Sequence, residues 1–96
     1  MAKINWSDSA LQDILNIYKY IALDSPSNAD GFLDHLMDGT EKQLSISPLI
    51  GREIPEMKDP DFREIIYGKY RVMYHVEDNM VDITHVRHGA REFSYE

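Results

Sequence analysis

The sequence predicts an α+β fold of order β-α-α-β-β-β, a small antiparallel sheet with a helical hairpin packed on one face. Three observations predict it. Apolar residues recur every three or four positions between Ala10 and Leu44, and the recurrence changes to every second residue from Phe62 onward. Turn-forming residues interrupt the pattern at Ser25-Pro26, Ser47-Pro48, Gly68 and Asp78-Asn79. Ninety-six residues are too few for two ordinary domains and enough for one, so residues 1–96 read as a single domain.

Lys3 to Trp6 is a short apolar-polar alternation that suits an edge strand. Ser7 then caps a helix running to about Ala22, because its hydroxyl accepts an N–H of the first turn and Asp8 suits the positive end of the helix dipole. Ala10, Leu11, Ile14, Leu15, Tyr18 and Ile21 form its apolar stripe. Ser25-Pro26-Ser27 starts a second helix, whose stripe of Ala29, Phe32, Leu33, Leu36, Met37, Thr40 and Leu44 ends at Ser47-Pro48. The short link between them makes the pair an antiparallel hairpin. Leu49 to Pro60, with Gly51, Pro55 and Pro60, reads as a connecting loop.

Tyr67-Gly68-Lys69-Tyr70 has glycine at the first position of a two-residue loop, as a type II′ turn requires, and Glu77-Asp78-Asn79-Met80 is a second reversal. These turns set Tyr67 opposite Tyr70, Ile65 opposite Val72, Val76 opposite Val81 and Tyr74 opposite Ile83, which makes one apolar face. Glu64, Ile66, Arg71, Met73, His75, Asp82, Thr84 and Val86 fall on the other face, which is polar enough to be accessible.

Ten Lys and Arg against seventeen Asp and Glu give a net charge of −7, a balance unsuited to neutralising many phosphates. The imbalance is local. Residues 1–61 hold five basic and eleven acidic groups, residues 62–96 five and six, so any anion-binding surface belongs to the C-terminal third. With no Cys, the chain has no disulfide framework, thiolate metal site or cysteine nucleophile, and four scattered His make no metal site. No run is long and apolar enough for a signal peptide or a membrane span, and a reducing cytoplasm fits. No cofactor motif is present, since Gly51 and Gly68 are too isolated for a phosphate loop.

Three places can carry chemistry. Arg71 stands mid-strand on the polar face, where it can bind an anion or pair with Glu64. His75 beside Asp82 imitates an oriented base, but no nucleophile lies beside it, so a cross-strand polar pair is the simpler reading. Val86-Arg87-His88-Gly89-Ala90-Arg91 gathers two Arg and a His around a flexible Gly, the densest positive site in the chain.

In these residues the chain resembles the ParE/RelE superfamily of toxins from type II toxin-antitoxin modules, often labelled plasmid stabilisation proteins. The resemblance is carried by Trp6-Ser7 with Ala10 and Ile14, Ser25-Pro26 with Ala29, Pro48-Leu49-Ile50-Gly51-Arg52, Arg63-Glu64-Ile65, Tyr70-Arg71-Val72-Met73-Tyr74 and the 86–91 segment. It implies a toxin neutralised by a cognate antitoxin within a toxin-antitoxin hetero-oligomer.

Two activities are known in the superfamily. A RelE-like protein would be an endoribonuclease acting on messenger RNA in the ribosome, and the resemblance then implies Arg63, Arg71 and Arg91 as its catalytic cations. The second Lys of that pattern falls on Glu64 or Ile65, and its final Tyr falls just beyond Glu96, with Tyr95 as an approximate stand-in. A ParE-like protein would instead inhibit DNA gyrase without catalysis, with Arg71, Arg87, His88 and Arg91 as target-binding residues. The His88-Gly89-Ala90-Arg91 ending and the acidic net charge favour ParE. A degenerate, non-toxic binding module is a third reading. For the antitoxin, the stripes along the hairpin suggest an apolar groove, ringed by Asp8, Asp13, Asp24, Asp30, Asp34, Asp38 and Glu41.

Overall fold

A computed structural model describes residues 1–89. Strand β1 (Lys3–Trp6) leads into helices α1 (Asp8–Ala22) and α2 (Pro26–Ile46), followed by strands β2 (Arg52–Glu53), β3 (Phe62–Tyr67), β4 (Tyr70–Glu77) and β5 (Met80–His88). The sheet order is β1-β5-β4-β3-β2. The predicted α+β order holds, with the two-residue β2 added inside the predicted loop as a second edge, antiparallel to β3.

Both helices begin where capping chemistry places them. Ser7 Oγ accepts the Ala10 N–H at 3.0 Å, and Ser25 Oγ accepts the Asn28 N–H at 3.2 Å with Pro26 next in line. Ala10 and Ile14 of α1 and Leu36, Thr40 and Leu44 of α2 are buried. Against them lie Ile65, Val72, Tyr74, Val81, Ile83 and Val86 of the sheet, which together with the helical side chains form one core.

β1 pairs with β5 in parallel, from Lys3 opposite Met80 to Trp6 opposite Ile83, so the sheet is mixed. Two side-chain bonds fix this edge: Trp6 Nε1 donates to Glu41 Oε2 at 2.8 Å, and Asn5 Nδ2 donates to Asp82 Oδ1 at 3.0 Å.

The four predicted cross-strand pairs are all present. Gly68 and Asp78 have φ of +59° and +54°, the conformation that a tight hairpin turn asks of its first loop residue. Beyond Ile83 the ladder changes. Tyr74 faces Ile83 but Met73 faces His85, so one extra residue of β5 is accommodated in a bulge. Every later side chain of β5 therefore changes face. Val86, predicted on the polar face, is buried in the core opposite Val72. Thr84 does not pair with Met73; its Oγ1 donates to the Met73 carbonyl at 3.3 Å instead.

Candidate functional site

Glu64 and Arg71 lie on the sheet face away from the helices, as the alternation predicts, but the expectation that they are accessible is corrected. Their side chains are 0% exposed. Glu64 Oε1 accepts from Arg71 Nε at 2.6 Å and lies 2.5 Å from its Nη2, while Glu64 Oε2 accepts from Arg52 Nε at 2.5 Å. Arg52 reaches the carboxylate because β2 sets it directly opposite Glu64. After β2 the chain brings Ile54, itself buried, and Glu56 over the same face, with Glu56 Oε1 3.9 Å from Arg71 Nη2. A charge taken out of water needs such a partner, and Glu64 has two guanidinium groups.

Arg63 is one residue from Glu64 and so projects to the opposite side of the sheet. It is the cross-strand partner of Tyr74 in the core, and its Nη1 donates to the Gly51 carbonyl at 2.9 Å. Arg63 and Arg71 are thus separated by the sheet, and Arg91 lies outside the described residues. The ribonuclease trio does not come together among the described residues.

The bulge also divides the other predicted set. Arg71 and Arg87 are directly opposite one another in the β4–β5 ladder. His88, one residue on, turns to the helix side and meets Tyr70 edge-on, with ring centroids 5.6 Å apart at 86°. Asp13 of α1 caps the exposed backbone where β5 outruns β1, accepting the Val86 N–H at 3.0 Å, and Arg87 Nε lies 3.5 Å from the same oxygen. Asp13 thus joins Glu41, Asp30 and Asp38 as members of the predicted acidic ring that are engaged within the fold, with Trp6, Tyr18 and Lys42 respectively. Neither the Asp13 cap nor the Arg52 pairing was predicted. Both act across long sequence separations that periodicity does not encode.

Ile54, Met57, Phe62, Met73, Thr84 and His85 line an open groove of about 550 Å³ on the face away from the helices, together with the charged side chains of Glu56 and Arg87. The bulge contributes to it by placing Thr84 and His85, neighbours in sequence, on the same wall. His75 and Asp82 are opposite one another as predicted, but each has another partner. Asp82 accepts from Asn5, and the His75 ring lies 4.5 Å from that of Phe62. Among the described residues no three His, Asp or Glu are grouped to hold a metal ion, and no helix is long and apolar enough to cross a membrane.

Two tyrosines near these arginines have hydroxyls above the ordinary pKa of 10.0. Burial pushes Tyr74 up, partly offset by the Gly51 N–H it accepts and by the nearby Arg63 charge. Burial and the neighbouring Tyr20 do the same to Tyr70.

The fold is similar to one described as the chromosomal ParDE toxin-antitoxin system from P. aeruginosa, with a TM-score of 0.74 and 20% identity, covering 92% of this chain and 96% of that one. It is also similar to the RelBE2 toxin-antitoxin complex from Mycobacterium tuberculosis, with a TM-score of 0.60 and 19% identity, covering 91% and 96%. A search of curated proteins finds no match. Residues 4–93 match the family model described as the ParE toxin of the type II toxin-antitoxin system parDE. The chain belongs to that family.

Proposed function

We propose that the protein is a ParE-like toxin that inhibits an essential cytoplasmic target such as DNA gyrase by binding rather than catalysis, and that a cognate antitoxin holds it inactive in a hetero-oligomer. The observation that carries the non-catalytic reading is the Glu64–Arg71 pair. A ribonuclease needs cations free to stabilise the developing charge on a phosphate. Here Arg71 is wholly buried against a carboxylate, and Arg63 lies on the other side of the sheet. Arg87, with 42% of its side chain exposed, is the described member of the target-binding set that offers charge to a partner. Arg71 supports it from the opposing strand position. His88 contributes from the helix side, and Arg91 follows it in sequence.

The antitoxin reading draws on two surfaces. Leu11 and Leu15, one helical turn apart on α1, are 45% and 44% exposed and give an amphipathic partner helix an apolar seat. β2 pairs only with Arg63 and Glu64, so β3 keeps an open edge from Ile65 to Tyr67.

Expression without antitoxin, followed by purified-component assays, tests the proposal. Growth arrest with DNA damage, together with loss of gyrase supercoiling activity, is the expected result. Codon cleavage in translating ribosomes that is abolished by Arg71→Ala would replace it with the RelE-like reading. Failure to arrest growth would replace it with a non-toxic binding module.

A further inference from the structure

A second cavity lies on the helix side, between α1 and the ends of β4 and β5. Asn16, Ile17, Tyr20, Tyr70 and His88 line its volume of about 260 Å³. We propose that it receives one guanidinium group, the side chain of an arginine presented by a protein partner.

The lining is largely aromatic and, among the described residues, carries no Lys or Arg. Tyr70 is held from two sides, by Phe32 with centroids 5.1 Å apart and by the edge-on His88 ring at 5.6 Å. It is therefore a fixed wall. Tyr20, 71% exposed, is the outer wall and is free to settle over an occupant. A cation within about 6 Å of such rings is attracted by their negative faces.

The polar groups here can serve a donor. His88 Nδ1 is buried with no hydrogen-bond partner among the described residues, and with the ring proton on Nε2 it is an acceptor. Asn16 Oδ1 accepts from Gln12 Nε2 at 3.0 Å and has a second lone pair available. A guanidinium brings five N–H donors in a flat group that stacks on rings and is more weakly hydrated than an ammonium. An apolar anchor would fill the space and leave the imidazole nitrogen unsatisfied.

Size and charge point the same way. Small-molecule sites typically enclose about 300–1,000 Å³, so this cavity suits a single side chain. The chain carries a net charge of −7, which favours a cationic occupant over an anionic one. The inference stands on the cavity's own chemistry and is independent of which target the toxin acts on.

Titration of the isotope-labelled full chain with N-acetyl-arginine amide, followed by NMR, tests it, with N-acetyl-citrulline amide as the uncharged near-isostere. Saturable millimolar binding is expected, with shifts concentrated at Asn16, Ile17, Tyr20, Tyr70 and His88. Citrulline should bind about five-fold more weakly or worse, and Tyr20→Ala should weaken arginine binding by a similar factor, as loss of about 1 kcal/mol of cation–π attraction requires. Tyr20→Phe, which keeps the ring, should restore it. Equal binding of citrulline, shifts spread along the acidic surface of α2, or indifference to Tyr20→Ala would each overturn the proposal.

Discussion

The Tyr74 hydroxyl accepts the backbone N–H of Gly51 at 2.9 Å, joining the middle of β4 to the segment that leaves α2. The approach is so close that a Cβ on residue 51 would lie 2.5 Å from the hydroxyl oxygen and 2.6 Å from the Glu64 carbonyl oxygen. Glycine is required here for want of room.

Gly51→Ala is therefore expected to destabilise the protein by about 3 kcal/mol or more, because the Glu64 carbonyl belongs to a paired strand and cannot withdraw. Tyr74→Phe should cost about 1–3 kcal/mol by stranding a buried N–H. The double variant should recover little of the loss, since the phenylalanine relieves only the hydroxyl contact. Urea unfolding of the three variants measures all of this.

Removing one partner of the buried ion pair should be far worse than removing both. Glu64→Ala leaves the Arg71 guanidinium without its principal counter-charge in the sheet and is expected to cost about 3–5 kcal/mol. Glu64→Met combined with Arg71→Met should restore most of that stability, because Arg52, 55% exposed, can turn to solvent. Thermal melts of the single and double variants separate the two cases. A double variant no better than Glu64→Ala would contradict this account of the pair.

The bulge makes an unusual deletion tolerable. Without Thr84, Ile83 and His85 become neighbours, and the ladder can run regularly from Ile83 to Val86 with both still in the core. The variant should fold, losing the bonds Thr84 makes to Ser7 and Met73. Deleting Asp82 instead moves Val81 out of phase with Ile83 and should abolish cooperative unfolding. Circular dichroism melts of the two deletions give the comparison.

Stability should fall at alkaline pH. Tyr18 donates to Asp30 across the helical hairpin, and that bond, followed by the carboxylate's charge, raises its pKa. Burial raises Tyr70 and Tyr74. A folded pKa above the unfolded one contributes stability that is fully present below the ordinary value of 10.0 and is lost as pH rises through the folded values. Spectroscopic titration should show three tyrosines ionising late, with unfolding accompanying the last of them. Tyr74→Phe should remove one of the late ionisations.

Much of this structure is legible in the sequence. Ser7 and Ser25 mark their helices because capping is local chemistry, and Gly68 fixes the β3–β4 register because few residues adopt its backbone conformation. The bulge is less legible. Its trace is the spacing Val81, Ile83, Val86, in which the apolar interval lengthens from two to three, and no glycine or proline marks the place. Glu64 and Arg71 can be recognised as a pair, since opposite charges lie diagonally across a known register. Their burial cannot be read the same way, because it involves a segment whose path over the sheet no local rule sets. The candidate site divides along this line. The separation of Arg63 from Arg71 follows from strand alternation, whereas the placement of Arg87 and His88 required the bulge.

The parallel pairing of β1 with β5 sets when the molecule can come into being. During synthesis the first strand leaves the ribosome long before its neighbour, which begins at Met80, has been made. Until then α1 lacks β5, the strand it packs against, and the contacts that close the core are among the most distant in the chain. Translation interrupted before residue 80 yields a chain whose core lacks Val81, Ile83 and Val86, a species suited to degradation or capture and lacking Arg87 and His88. The folded core is thereby deferred to chains in which β5 has been made.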